Sequence, residues 1–296
     1  MTGFLCIDKP AGLTSFAVVR RVRGILGVKK AGHTGTLDPM ATGVLPVALS
    51  GASRFIELLP AKEKAYTARV RLGLTTDTLD ITGRVLTTCP VRVSPDEIRR
   101  AAARFLGDSE QLPPMYSALS QNGVRLYELA RRGETVERKP RPVHIAVLEV
   151  TDIADDEFTL TATVSAGTYI RSLAHDIGQA LGTGAVLTAL RRTAANGFTK
   201  TQCVTLETLE RLQSEGRVSE VLHSVDACLG AYPALTVTAP QAVRFHNGGE
   251  LAAERLKGLC APGLYRVYAP DGGFLGVGSL PADGESLLVK RVFADG

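Results

Sequence analysis

Residues 32–45 read GHTGTLDPMATGVL, and the fold and chemistry of the chain turn on this stretch. Gly32, Gly35 and Gly43 permit tight turns and let a ligand approach the backbone closely. Pro39 disfavours the helical conformation for the residue before it, so Asp38 is expected on a stiffened, extended loop rather than on a helix face. Its neighbours are small hydroxyls (Thr34, Thr36, Thr42) and apolar groups (Leu37, Met40). A carboxylate so placed can serve as nucleophile, general base or electrostatic stabiliser. Asp-Pro pairs also open turns that carry no chemistry, and for Asp38 alone that is the better reading. His33 alone reads more readily as a hydrogen-bonded structural histidine than as a catalyst.

Before this stretch, Thr14 or Ser15 can cap a helix carrying Val18, Val19, Val22, Ile25 and Leu26, which Gly27 ends. After it, residues 65–73 alternate: Tyr66, Ala68, Val70 and Leu72 lie on one face, with Thr67, Arg69 and Arg71 on the other. That is the pattern of a half-buried strand. A polar loop, TTDTLDITG, leads to a short strand at 84–86. Ser94-Pro95-Asp96-Glu97 is a capping box with proline at the first helical position, opening a helix that buries Ile98, Ala101, Ala102 and Phe105. Strands are expected at 143–151 and 158–164. A helix follows with Ile170, Leu173, Ile177 and Leu181 on one face, and then a further short helix over Val186–Arg192. Strands and helices mix without regular βαβ alternation, so the fold class is α+β with a mixed, mostly antiparallel sheet. Past residue 230 the sequence becomes dense in Gly and Pro, with short strands at 235–237, 264–268, 274–277 and 286–293. Two domains are therefore expected, 1–230 and a small β-rich one at 231–296.

The 296 residues are 45% hydrophobic and 22% charged, which excludes a long disordered or fibrous chain. The longest apolar stretches fall far short of the roughly 20 residues of a membrane helix, and no signal peptide is legible. A cytoplasmic protein without membrane attachment is expected. The net charge of +4 is mild, but its distribution is uneven. Lys9, Arg20, Arg21, Arg23, Lys29 and Lys30 form one basic cluster, and Arg131, Arg132, Arg138, Lys139 and Arg141 another. Such clusters can meet a phosphate backbone, although charge alone favours solvated helix faces. Cys6, Cys89, Cys203, Cys228 and Cys260 are odd in number and widely spaced, which argues against a disulfide framework or a zinc site. The histidines show no metal-binding spacing, and no metal or cofactor is expected.

Taken whole, GHTGTLDPMATGVL closely resembles the defining motif of the TruB family of tRNA pseudouridine synthases. The resemblance extends in order along nearly the whole chain. FLCIDKPAGLTSF is similar to the family's opening lysine-proline-glycine-threonine-serine segment. KAYTARVRLGLTTDTLDITG resembles its tyrosine strand and the loop after it. PPMYSALSQNGVRLYELARRGETVERKPRPV is similar to the stretch before its central strands, and GTYIRSLAHDIGQALGTGAVLTALRRT resembles its arginine segment. HNGGEL and SLLVKRVF resemble the PUA-type RNA-binding domain of bacterial members.

The resemblance implies an isomerase that converts uridine to pseudouridine at position 55 in the T-loop of tRNA. The base is detached, turned and rejoined through carbon, without metal or cofactor. Asp38 matches the attacking aspartate; attack on base C6, attack on sugar C1′ and prior removal of a sugar proton all stay open. Arg171 matches the arginine that pairs with it. A cation at a helix start is unfavourable by itself, which makes a specific partner more plausible. Tyr66 matches the tyrosine that stacks on the target base, although a core aromatic on the strand face fits its pattern equally well. Asp80 and Tyr169 match further substrate-binding positions, and Arg54 sits where members carry a cation for a phosphate. His33 matches the histidine that fills the space vacated when the base leaves the stack. The expected partner is the tRNA T-arm, with the chain a monomer that needs no protein partner. Two alternatives share the fold: an RNA-binding or RNA-folding module without catalysis, and a guide-dependent enzyme acting on ribosomal RNA. An unrelated hydrolase using Asp38 has no supporting triad, metal site or second catalytic carboxylate at helical spacing; Asp77 and Asp80 lie three apart but in a loop, where turn chemistry accounts for them.

Overall fold

Strand β1 (Gly3–Lys9) is buried along both faces, which is why FLCI runs without polar interruption. It pairs antiparallel with β3 (Thr42–Leu49), which follows the short β2 (Ala31–His33). The computed structural model describes residues 1–121, 123–259 and 261–294. Further strands are β4 (Lys64–Leu72), β5 (Gly107–Gln111), β6 (Arg141–Ala154), β7 (Glu157–Val164), β8 (Ala185–Ala195), β9 (Phe198–Thr199) and β10 (Cys203–Val204). These ten form one sheet in the order β10-β1-β3-β8-β4-β7-β6-β5, with β2 beside β3 and β9 beside β8. Only β1 with β10 and β8 with β3 run parallel. The mixed, mostly antiparallel sheet expected from the sequence is present.

Helices α1 (Ser15–Leu26), α2 (Pro95–Ala103), α3 (Ile170–Ala180) and α4 (Leu206–Ser214) supply side chains to a core on one side of the sheet. Val18 and Val22, Ile98, Leu173 and Ile177, and Leu209 pack there with Leu5, Ile7, Leu45, Val70 and Leu160. The local signals are those read from sequence. Thr14 accepts from the Ala17 amide to cap α1, and Gly27 ends it at φ 64°. Ser94 and Glu97 close the capping box of α2.

The helix expected over Val186–Arg192 is not formed. These residues lie in β8, at the centre of the sheet between β3 and β4. Its pairing with β4 shifts register between Leu187 and Ala189 and again between Arg192 and Ala194. Each bulge resets the two-residue alternation, so Leu187 and Leu190 fall at a helix-like spacing although both are core residues of a strand.

A second, five-stranded sheet gathers strands between Ala234 and Val292 around its own core of Leu235, Phe245, Leu251, Tyr265, Val267 and Leu287. It rests on the other side of the large sheet. Phe55 meets Phe274 and Phe293 with ring centroids 6.3 and 6.2 Å apart, and Tyr232 donates to the Leu58 carbonyl at 2.7 Å. Cys6, Cys89, Cys203 and Cys228 are free thiols, and Cys260 lies outside the described residues. No helix among the described residues is long and apolar enough to cross a membrane.

Candidate active site

A cavity of about 600 Å³ opens where the 34–41 loop, β4, the 77–83 loop and the start of α3 converge. Asp38, Tyr66, Asp80, Tyr169 and Arg171 all line it, although up to 133 positions separate them in the chain. The sheet topology explains the meeting, because β8 lies between β3 and β4 and so sets the Asp38 loop beside the Tyr66 strand.

The Asp38 loop is held from three sides. The buried Ser15 hydroxyl accepts from the Leu37 amide at 2.8 Å and donates to the Leu37 carbonyl at 3.1 Å. The Lys9 ammonium donates to the carbonyls of Pro10 (2.8 Å) and Pro39 (3.2 Å). Arg192, fully buried, donates to the carbonyls of Val44 (2.7 Å), Gly35 (3.1 Å) and Thr36 (3.3 Å). Asp38 itself is non-helical and opens a turn, its carbonyl accepting from the Ala41 amide at 3.1 Å. At Gly43 (φ 103°) the backbones approach closely, since a Cβ there would lie 2.2 Å from the Arg192 carbonyl oxygen.

Arg171 donates a hydrogen bond from Nη2 to Asp38 Oδ1 at 3.1 Å, and its Nε lies 2.8 Å from Oδ2 as an ion-pair contact without hydrogen-bond geometry. Nη1 and Nη2 also donate to the carbonyls of Thr78 (2.9 Å) and Tyr116 (2.8 Å). A planar guanidinium that hydrogen-bonds three acceptors and lays Nε beside a second carboxylate oxygen is a geometry that lysine cannot copy. The start of α3 is fixed in turn by Gln111, whose amide accepts from the Tyr169 N–H (2.8 Å) and donates to the Tyr169 carbonyl (3.0 Å). Asp80 lies 4.0 Å from Arg171 and accepts from the hydroxyls of Thr78 (2.9 Å) and Thr82 (2.6 Å) and the Thr82 amide (3.0 Å). Its loop is pinned to β8 by the Ile81 amide, which donates to the Leu187 carbonyl at 2.8 Å.

Burial pushes the Asp38 carboxyl above its ordinary value; Arg171 opposes that rise and Asp80 adds to it. The Asp38 side chain is 30% exposed, and that exposed part faces the cavity. Arg171 thus favours the ionised carboxylate against a burial effect that is the larger of the two. Tyr66 is buried, and burial pushes its phenol up while the Arg192 guanidinium opposes the shift. Burial also pushes up the Tyr169 phenol.

Two expected site residues lie outside the cavity lining. His33 ends β2, half-buried, with its Nδ1 unpartnered among the described residues. Burial, Arg192 and Lys64 hold its imidazole below the usual value, so it is neutral at pH 7. Arg54 stands exposed on a 3₁₀ helix (Ser50–Leu58), where its carbonyl accepts from Arg291 Nε at 3.2 Å. Lys64 and Arg192 were missed from sequence. A basic residue two places before Tyr66 and an arginine pair inside an apolar run were the available signals.

Comparison with known proteins bears on the whole chain. Residues 23–170 match the N-terminal domain model of TruB family pseudouridylate synthase, and residues 171–230 match the tRNA pseudouridylate synthase B C-terminal domain. The chain belongs to the TruB family of pseudouridine synthases. A TruB relative from Aromatoleum aromaticum, named tRNA pseudouridine synthase B, is 47% identical over 290 residues, covering 98% of this chain and 92% of the relative. One of the same name from Stutzerimonas stutzeri is 44% identical over 96% of this chain and 93% of its own. Among solved structures, a Cbf5-Nop10-Gar1 complex matches with a TM-score of 0.76 at 28% identity, covering 99% of this chain and 85% of the other. An H/ACA RNP bound to a substrate RNA containing 2′-deoxyuridine gives 0.75 at 26% identity, covering 99% and 85%. The fold of this TruB chain is thus that of the pseudouridine synthases, with a C-terminal β unit of PUA-like kind.

Proposed function

We propose that the chain isomerises uridine to pseudouridine at position 55 in the T-loop of tRNA, with Asp38 as the nucleophile. The observation that carries this reading is the pairing of buried Arg171 with an Asp38 whose exposed part faces a cavity large enough for a nucleoside. In the overall reaction the N1–C1′ bond breaks, a C5–C1′ bond forms, the proton on C5 leaves to water and N1 takes one up. Atoms and electrons balance without an oxidant. An ionised carboxylate with little solvent is a stronger nucleophile than one in water, and Arg171 favours the ionised form and aims it.

Tyr66 forms the wall on which the base stacks, and its phenol is a candidate for the final proton transfer. Asp80 and Tyr169 complete the pocket. His33, outside it and neutral, suits a part in the RNA loop, filling the gap left when the base is taken out of the stack. Arg54, exposed and outside the cavity lining, suits a phosphate further along the RNA. Residues 1–230 carry the chemistry and 231–296 act as a PUA-like RNA-binding unit. The chain acts alone, as a cytoplasmic monomer. Its 47% relative is a tRNA pseudouridine synthase B, whereas the solved neighbours in multi-protein assemblies are more distant.

The test uses tRNA transcript tritiated at uridine C5. Wild type should release the label to water without partner proteins. Asp38→Asn should release none while still binding the RNA. Binding without release by the wild type would reduce the chain to an RNA-binding module. Release only with added proteins and a guide RNA would favour the guide-dependent reading.

A further inference from the structure

One wall of the cavity carries positive charge that nothing among the described residues neutralises. Lys64 starts β4 two residues before Tyr66, so the two side chains share a strand face, and both line the cavity. The Lys64 ammonium makes no hydrogen bond and no ion pair among the described residues. Opposite it stands Gly35, where a Cβ would lie 3.0 Å from Lys64 Nζ and 3.7 Å from Arg192 Nη1. Gly35 is not in the left-handed region, so a side chain is opposed there by the space the two cations occupy rather than by backbone strain. Both carboxylates of the cavity are engaged elsewhere, Asp38 by Arg171 and Asp80 by Thr78, Thr82 and Arg171. Arg192 has carbonyl acceptors but no carboxylate.

A half-buried cation without a counter-ion is costly unless an anion arrives with the ligand. RNA brings one phosphate per nucleotide. We propose that Lys64 is the receptor for a phosphate flanking the target uridine, fixing the sugar so that the base lies over Tyr66 and against Asp38. This rests on the function proposed above. It separates the cavity's three pocket-lining cations into distinct tasks: Arg171 serves the carboxylate, Arg131 lies over the Tyr127 ring, and Lys64 waits for substrate.

The proposal has a proton-linked consequence. Burial and the Arg192 charge lower the Lys64 ammonium to about 8. The groups facing it are Arg192 from β8, His33 from β2 and Tyr66 on its own strand. Arg192 is permanently charged. His33 is shifted down and Tyr66 up, so neither titrates near 8. Lys9, on the other side of the Asp38 loop, is also held at about 8, and serves as the internal control. A bound phosphate stabilises the charged form, so RNA binding takes up a proton at Lys64 above that value.

The decisive experiment measures binding of a T-arm hairpin in an Asp38→Asn background. The hairpin is made with all natural phosphates, or with a neutral methylphosphonate 5′ or 3′ of the target uridine. Neutralising one of these two linkages should weaken binding on the order of tenfold, the scale of one charged hydrogen bond. Lys64→Met should weaken it equally and abolish sensitivity to that linkage. Lys64→Arg should restore affinity and sensitivity. Between pH 7 and 9 affinity should fall with Lys64 present and stay nearly level in Lys64→Arg, where Lys9 still titrates. An equal linkage effect with and without Lys64, or no effect of either linkage, would overturn the inference while leaving the proposed function intact. A natural hairpin that the wild type neither binds nor converts would overturn both.

Discussion

Replacing Arg171 with methionine tests the electrostatics of the cavity directly. The methionine keeps most of the side-chain volume but removes five donors. In the folded protein Arg171 is 4% exposed and serves both Asp38 oxygens and the carbonyls of Thr78 and Tyr116. Breaking one side of a buried ion pair strands the other charge, a loss in the range of about 3–5 kcal/mol. Asp38 keeps 30% exposure, so water takes up part of that load and the expected loss is about 3 kcal/mol at neutral pH. The pH dependence has a definite sign. Asp38 is held above its ordinary value, so its ionised form opposes folding as pH rises from the ordinary value towards the raised one. Without Arg171 the folded value climbs further and the window widens upwards. The deficit of Arg171→Met should therefore be smallest near about pH 3, where the carboxyl is largely protonated folded or unfolded, and greatest above the window. Urea unfolding at several pH values measures this. Tritium release should show the acid limb of the pH–rate profile moved to higher pH, since attack needs the ionised carboxylate. Arg171→Lys should restore the limb but not the full rate, because a single ammonium cannot span the two oxygens. An unmoved acid limb together with an unchanged urea midpoint in Arg171→Met would refute the reasoning.

Two further outcomes are expected. His33→Ala should slow tritium release less than Asp38→Asn abolishes it, and a complete loss in both would return His33 to the reaction itself. Neutralising Arg131, Arg132, Arg138 and Lys139 together should weaken RNA binding and flatten its dependence on salt concentration, as lost phosphate contacts do. Of these four, Arg138 is already partly engaged by the Pro113 carbonyl at 2.8 Å, so its single removal should flatten the slope least.

The parts of the fold legible in the sequence were those fixed by short-range chemistry. Thr14 and Gly27 bound α1, Ser94 and Glu97 open α2, and the alternation at 65–73 places Tyr66 on the buried face of β4. Strand β8 was not legible because its two bulges break the alternation that would mark it, and its two long-range partners, β3 and β4, lie more than a hundred residues earlier. Asp38 and Arg171 were legible only through their surrounding motifs, since each alone reads as ordinary turn or surface chemistry. Arg192 escaped notice because burying an arginine against three carbonyls is a tertiary fact: nothing local in Leu190-Arg191-Arg192 distinguishes the residue that pairs with Asp8 at 2.8 Å from the one that vanishes into the core. Arg54 shows the converse, a motif position whose exposed side chain does not line the cavity.

The central position of β8 also dictates an order of events as the chain is made. Strands β3 and β4 do not pair with each other; each pairs with β8, which ends at Ala195. Asp38 and Tyr66 are therefore synthesised early but have no fixed relation until some 130 further residues have been added, at about 5–20 residues per second. Closing such long loops makes folding slow and late. A chain interrupted before β8 would expose two unpaired strand edges and hold no cavity at all. The same insertion couples catalysis to completion: the site comes into being only when the protein has almost finished its larger sheet, so a partly made chain has no means of acting on RNA.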